Sequence, residues 1–314
     1  MQRLRDNDFV DLYIGKDYAE IKGLTGADKI LVSVPGHLIE DCEILTERCL
    51  SFYRDSGRTE FSLLHDMRLY RVTVTVDLFG GENFVIRQTP NGVRNLKDIQ
   101  LSTKLRNSID QKNATGLVLI AGAMGSGKTT TAAAILKRRI EVTGDLGVSI
   151  EDPAETLLKG RHGEGRCMQL EVSGNETYAS ATKKAFRMGA SSFLLGEIRD
   201  GITAHEVLKA SLSMFVVSTI HAASIQEAIE RYVMFCEELN PGAKANVAST
   251  LYIVAHQVMT TVIRDEKVFS RNVDITGFDL RNSGSADTIK AKILTGNYSA
   301  LRDDLRSNMN NLRP

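Results

Sequence analysis

The four cysteines of this 314-residue chain, Cys42, Cys49, Cys167 and Cys236, form no CxxC pair and have no paired histidines nearby. Their spacing argues against a zinc site and against a disulfide framework, and they read as the reduced thiols of a cytoplasmic protein. Long apolar runs are missing as well. The most apolar stretch, 245–263, is broken by Asn246, His256 and Gln257, and the N-terminus, MQRLRDNDFVDL, has no apolar signal core. No membrane span is expected, so any membrane contact would come through partners. Nor is there an excess of either charge. Acidic and basic side chains number 39 each, and division near Lys112 leaves 16 basic against 17 acidic and then 23 against 22. Neither part carries the basic surplus of a nucleic-acid or anionic-membrane binder, and direct nucleic-acid contact is not expected. There is no internal repeat or low-complexity tract.

What is present is enough apolar residue, 42%, to bury a full core, over a length that suits two ordinary domains. Near Leu69 the side chains alternate. Val72, Val74, Val76 and Leu78 fall on one face and Thr73, Thr75 and Asp77 on the other, the period of a half-buried strand. Phe84 to Arg87 reads as its antiparallel partner across Gly80-Gly81, with a short strand at Asp11 to Ile14 and a helix from about Leu38 to Phe52 before them. This makes an α+β domain over 1–90, closed by the turn cluster Thr89-Pro90-Asn91-Gly92 and a linker over 91–97. From 98 to 314 the pattern becomes short apolar runs separated by helical segments: Leu117 to Ala121, Gly147 to Ile150, Phe193 to Leu195 and Phe215 to Thr219. Such alternation predicts an α/β fold with a parallel sheet covered on both faces, which binds ligands at the carboxyl ends of its strands. After Arg264 a hairpin-like stretch precedes polar helices.

The chemistry concentrates where those runs end. Gly122-Ala-Met-Gly125-Ser126-Gly127-Lys128-Thr129 fits G-x-x-x-x-G-K-[ST], between the strand-like LVLIA and the helix-like TTTAAAILKRR. Its glycines let consecutive backbone N–H groups curve round phosphates at a helix N-terminus. Lys128 would reach the β and γ phosphates, and Thr129 would offer a hydroxyl to magnesium. A glycine-rich turn with an exposed lysine is the plain alternative. Phe193-Leu-Leu-Gly196-Glu197 is an apolar strand ending in a carboxylate, either the acid that holds magnesium or its water shell, or a structural glutamate. Ser149-Ile-Glu151-Asp152-Pro153-Ala154-Glu155 puts three carboxylates at another strand end, where they need a cation unless one caps a helix and the others are solvated. Thr219-Ile220-His221 ends the strand after the glutamate strand, so His221 could share that sheet edge, although most single histidines are packing or surface residues.

Together these segments resemble the traffic ATPases of type II secretion, type IV pili and type IV secretion. GAMGSGKTT is similar to that family's Walker A motif, SIEDPAE to its acidic box, FLLGEIRD to its Walker B and STIHAAS to its histidine box. LYRVTVTVDLFGGENFVIRQTP resembles its N-terminal strand pair, with Arg71 and Arg87 at the arginine positions. The resemblance implies a RecA-like P-loop domain behind a smaller PAS-like α+β domain. It also implies ATP and Mg2+ as ligands, the loop from Gly122 to Thr130 as the phosphate site, and Thr129 and Glu197 toward the metal. Glu155 matches the general base, His221 the later histidine, and Arg187 and Arg231 basic positions flanking the cleft. Arg71 and Arg87 would approach the phosphates, unless they merely pair with acids such as Asp77 or Glu82.

The resemblance further implies a homohexamer working on an inner-membrane platform protein of a pilus, secretion or conjugation machine. Met214 departs from a histidine of the pilus-retraction branch, Leu170 from a common arginine, and Phe186-Arg-Met-Gly-Ala-Ser from an acidic stretch. These departures leave room for the conjugation and type IVB branch. The reading is ATP hydrolysis by a hexameric motor, against a nucleic-acid-translocating relative or a ring subunit that binds ATP only as a switch.

Overall fold

The computed structural model describes residues 3–172, 176–264, 267–302 and 304. Contacts divide the chain into two units. One runs to Gly92 and takes in Asp152–Leu157 and residues 171–172; the other begins at Val93 and holds the rest of the described chain.

The first unit contains β1 (Asp11–Ile14), β2 (Ala19–Lys22), β3 (Leu31–Ser33), α1 (Ile39–Ser56), β4 (Glu60–His65), β5 (Arg68–Val76) and β6 (Glu82–Gln88). Its strands form one antiparallel sheet in the order β3-β2-β1-β6-β5-β4. Cys42, Leu45 and Cys49 of α1 share a core with Phe61, Val72, Val74 and Ile86, so one helix stripe packs on the inward side of the strands. Gly57, at φ 67, ends α1 in the left-handed conformation that favours glycine. The alternation at Val72 and Val74 stops sooner than the sequence predicts. β5 ends at Val76, and Leu78 and Phe79 are 93% and 95% exposed. The cause is the turn: Asp77 Oδ1 accepts from the backbone N–H groups of Phe79 and Gly81, which bends the chain before Leu78 can join the sheet.

The second unit contains α2 (Thr103–Ile109), β7 (Gly116–Gly122), α3 (Lys128–Thr143), β8 (Leu146–Glu151), β9 (Gly160–His162), β10 (Gly165–Glu171), α4 (Tyr178–Arg187), β11 (Ser192–Ile198), α5 (Gly201–Ser211), β12 (Phe215–His221), α6 (Ile225–Leu239), α7 (Lys244–Thr250), β13 (Leu251–Arg264), β14 (Lys267–Asp279) and α8 (Ala286–Thr295). Its eight strands run in the order β14-β13-β7-β12-β11-β8-β10-β9, and β13, β7, β12, β11 and β8 are mutually parallel. β7 is buried at every residue, as a strand covered on both faces must be. The parallel core follows the chain order first, fourth, third, second outward from β7, with β13 added on its other side. Side-chain caps start the helices near the carboxyl edge: Asp200 accepts from Thr203 N ahead of α5, and Ser224 from Glu227 N ahead of α6.

The four apolar runs read from the sequence lie inside β7, β8, β11 and β12. The stretch 245–263, broken by polar residues, is α7 followed by a fifth parallel strand. His256 and Gln257 come where β13 pairs with Ala121 and Gly122 at the end of β7. The hairpin near Arg264 therefore starts at Leu251, with β14 as its second arm. Among the described residues, no helix is long and apolar enough to cross a membrane.

Candidate active site

β7 delivers its last residue, Gly122, into a loop that Gly127, at φ 87, closes into α3. Gly125 also takes a positive φ, 74, so the backbone curls before Lys128 begins the helix. Lys128 is buried. Its Nζ donates to the carbonyls of Gly122 and Ala123, each at 3.0 Å, and lies 3.3 Å from His221 Nδ1. The ammonium thus folds back over its own loop, held by weak acceptors that a phosphate oxygen would outcompete. Ser126 Oγ is buried inside the same loop with no hydrogen-bond partner among the described residues. A buried hydroxyl left unmatched is costly, and an anion seated in the loop would satisfy it. Thr129 and Thr130 stand half-buried in the first turn of α3.

Glu197 comes from β11, whose pairing with β12 slips between Leu194 and Glu197. A slip of this kind re-aims the following side chain. Ser218 fixes the slip by donating to the carbonyl of Gly196 at 3.0 Å as well as to that of Leu195. Glu197 Oε1 then lies 2.6 Å from His221 Nε2, close enough for an ion pair though not aligned as a hydrogen bond, and Oε2 accepts from Arg199 at 2.8 Å. Arg231 on α6 donates to the His221 carbonyl at 3.0 Å, and its guanidinium rests over Phe235. Lys128, His221 and Glu197 therefore form one line along the carboxyl ends of β7, β12 and β11, with Arg231 holding the backbone of the middle member.

The remaining sequence candidates are distributed differently. Glu155 groups with the first unit, where Arg71 donates to its carboxylate. The segment around it is tied down by Ser62 Oγ, which donates to the Ala154 carbonyl at 2.8 Å, and by Glu171, which accepts from Ala154 N and from Arg58. Arg87 pairs with neither Asp77 nor Glu82. It donates through Nε to Asp11, while Asp77 serves its own turn and Glu82 lies near Arg54. The hydrogen bond to Asp11 raises the Arg87 pKa above its ordinary value. Arg187 is exposed in the last turn of α4, and its side chain joins no other described residue by a hydrogen bond or ion pair. Met214 precedes the first residue of β12, so the length of that strand, about 20 Å, separates it from the edge where His221 stands. Leu170 lies on β10.

Gln257 is the residue that the sequence reading passed over. It is 1% exposed and bonds both the loop and α3. Its sequence signal was faint: an amide interrupting an otherwise apolar run.

Among the described residues, no three histidine, cysteine or carboxylate side chains cluster as metal ligands. Magnesium beside a nucleotide does not require such a cage, because phosphates and water supply most of its ligands. The buried, unaligned Oε1 of Glu197 and the half-buried Thr129 at the loop's end are donors of the hard oxygen type that suits it.

The family described as Type II/IV secretion system protein matches residues 55–296. Competence protein ComGA of Streptococcus pneumoniae is 33% identical over 180 residues, 56% of this chain and 54% of that protein. The chain spans about half the length, or less, of the curated relatives it matches. In three dimensions it is similar to the Legionella pneumophila ATPase DotB, with TM-score 0.72, 20% identity, and 95% and 84% of the two chains covered. It is also similar to the pilus retraction motor PilT with bound ADP, with TM-score 0.76, 20% identity, and 96% and 87% covered. The fold is that of a RecA-like P-loop domain with a smaller N-terminal α+β domain. With three quarters of its length matched, this chain belongs to the Type II/IV secretion system protein family.

Proposed function

We propose that the chain is a motor subunit that binds ATP with Mg2+ at the Gly122–Thr129 loop and hydrolyses it to ADP and phosphate. The observation that carries the reading is the line Lys128–His221–Glu197 beside a loop whose Ser126 hydroxyl has no partner among the described residues. The ADP bound to the similar PilT supports it. Lys128 and the loop's N–H groups neutralise charge on the transferring phosphoryl group as water attacks in line. Magnesium, when bound through Thr129 and Glu197, would add Lewis-acid neutralisation. His221 sets the orientation of Glu197, and Glu155 accepts the proton of the attacking water. Six copies would form a ring, bringing Arg71, Arg87, Arg187 and Arg231 to the edges of the nucleotide clefts. The stroke would drive a pilus, secretion or conjugation machine through its inner-membrane platform protein, with the chain itself on the cytoplasmic side.

The test is Lys128→Ala. Turnover should be abolished and ATP affinity should weaken at least tenfold, with the circular dichroism spectrum unchanged. Normal turnover in that variant would remove the assignment. Stimulation of turnover by DNA with a steep salt dependence would point to a nucleic-acid translocase instead.

A further inference from the structure

Gln257 stands on β13 opposite Gly122, the residue with which β7 gives way to the loop. It is 1% exposed, and both ends of its amide are used. Nε2 donates to the Ser126 carbonyl at 2.5 Å, and Oε1 accepts from the Thr131 hydroxyl at 2.7 Å. Ser126 belongs to the phosphate loop and Thr131 to the first turn of α3. One side chain from a different strand therefore spans the join at which the loop becomes helix.

The glycines record the same arrangement. A Cβ on Gly122 would strike the backbone carbonyl of Gln257, and one on Gly127 would come within 2.9 Å of its Nε2. Positive φ already favours glycine at both positions. The approach of Gln257 closes the space that remains.

We propose that Gln257 is a positioning residue for nucleotide binding. By drawing the Ser126 carbonyl toward β13 and holding Thr131 at the start of α3, it fixes the curve of the loop before the ligand arrives. Preorganisation of this kind appears as affinity, because a loop already curved loses little conformational freedom on binding. The inference rests on the Gly122–Thr129 loop being a phosphate site. It also explains why an amide interrupts an apolar strand: among the described residues, the carbonyl and hydroxyl that its side chain bonds belong to the loop and its helix.

The test compares Gln257→Met, which keeps length and volume but neither hydrogen bond, with Thr131→Val, which removes one arm and leaves the other. Dissociation constants for ADP and for inorganic tripolyphosphate, kcat and KM for ATP, and the urea midpoint are measured on the full chain. Gln257→Met should weaken both ligands by about tenfold or more, equivalent to about 1.4 kcal/mol, and raise KM more than it lowers kcat. Thr131→Val should show a smaller loss, and the double variant should lose no more than Gln257→Met, since one side chain carries both contacts. Gln257→Glu keeps the arm to Thr131 but sets a carboxylate against the Ser126 carbonyl, so it should bind no better than Gln257→Met. Unchanged affinity in Gln257→Met, or an affinity loss only as large as the unfolded fraction accounts for, overturns the proposal. If Gln257→Met does not fold, Thr131→Val decides: unchanged affinity for both ligands overturns it. Failure of the wild-type chain to bind either ligand would instead overturn the phosphate-site reading on which it rests.

Discussion

Arg87 and Asp11 face each other directly across the β1–β6 pairing, and the arginine donates from Nε to Asp11 Oδ1 at 2.8 Å. Asp11 is 2% exposed, whereas the Arg87 side chain is 57% exposed. The attraction itself is weakened by the water that reaches Arg87. Removing the guanidinium, however, leaves a buried carboxylate short of its main donor, a loss of about 1–3 kcal/mol. Arg87→Ala should therefore lower the urea midpoint of the first unit's transition, and Asp11→Ala should offset part of that loss in the double variant. Equal midpoints for wild type and Arg87→Ala would show that the pair is idle in solution.

The same arginine is also a candidate for catalysis across a subunit boundary, which mixing tests separately. Combining Arg87→Ala subunits with Lys128→Ala subunits should restore some turnover if Arg87 acts on a neighbour's nucleotide, because some clefts would then join an intact loop to an intact arginine. An arginine working in this way is worth on the order of 10³ to 10⁵ in rate. No recovery, with hexamers verified by mass, confines Arg87 to its own subunit or to a structural role such as its pairing with Asp11.

The central parallel strands were legible because each is a short apolar run that the solvent-free interior of a covered sheet demands. β13 was not, because His256 and Gln257 make it look like a broken stretch until Gly122 is seen beside it. β9 and β10 carry too many polar residues, in GRH and GRCMQLE, to register as buried strands. That Lys128, Glu197 and His221 share one sheet edge was readable from their places, after the end of β7 for Lys128 and at the ends of β11 and β12 for the other two. The partner of Arg87 was not: Asp11 lies 76 positions away, and only the antiparallel register of β1 and β6 selects it over Asp77. The slip that turns Glu197 toward His221 also has no signal beyond Gly196.

Glu155→Gln should bind ATP with an affinity within about threefold of wild type and hydrolyse it 10²- to 10⁴-fold more slowly, since the amide keeps the shape and loses the proton acceptor. Arg71 can still donate to the amide oxygen, so the segment should stay in place. Bound nucleotide and turnover measured on one sample check this. A near-normal rate would move the base to Glu197 or elsewhere.

All four cysteines are buried and in no disulfide, and burial pushes the Cys42 thiol up to about 11 and those of Cys49, Cys167 and Cys236 up to about 12. An unfolded thiol ionises near 8.5. Between about pH 9 and 12 the folded chain thus retains protons that the unfolded chain has lost. Stability should fall as pH rises through that window and be insensitive to the thiols below about pH 8. At pH 8 iodoacetamide should alkylate the native protein at least about a hundredfold more slowly than the urea-unfolded chain. Rapid native labelling of any one cysteine would show that its site opens.

His221 stands between a cation and a carboxylate, with Nδ1 3.3 Å from Lys128 Nζ and Nε2 2.6 Å from Glu197 Oε1. Deleting the imidazole frees Glu197 to swing on its slipped strand and leaves Lys128 its contacts to the loop carbonyls. The loop keeps the groups that hold phosphate, so His221→Ala should bind ADP within about threefold of wild type. The carboxylate that would steady magnesium and its water shell loses its orientation, so kcat should fall by about 10²-fold, the scale of a positioned polar group in a transition state. His221→Gln can still place one polar atom toward Glu197 and should recover part of the rate. A change in ADP affinity as large as the change in kcat would mean instead that His221 acts mainly by holding Lys128. Equal rates for His221→Ala and wild type would reduce the histidine to a packing residue at the end of β12.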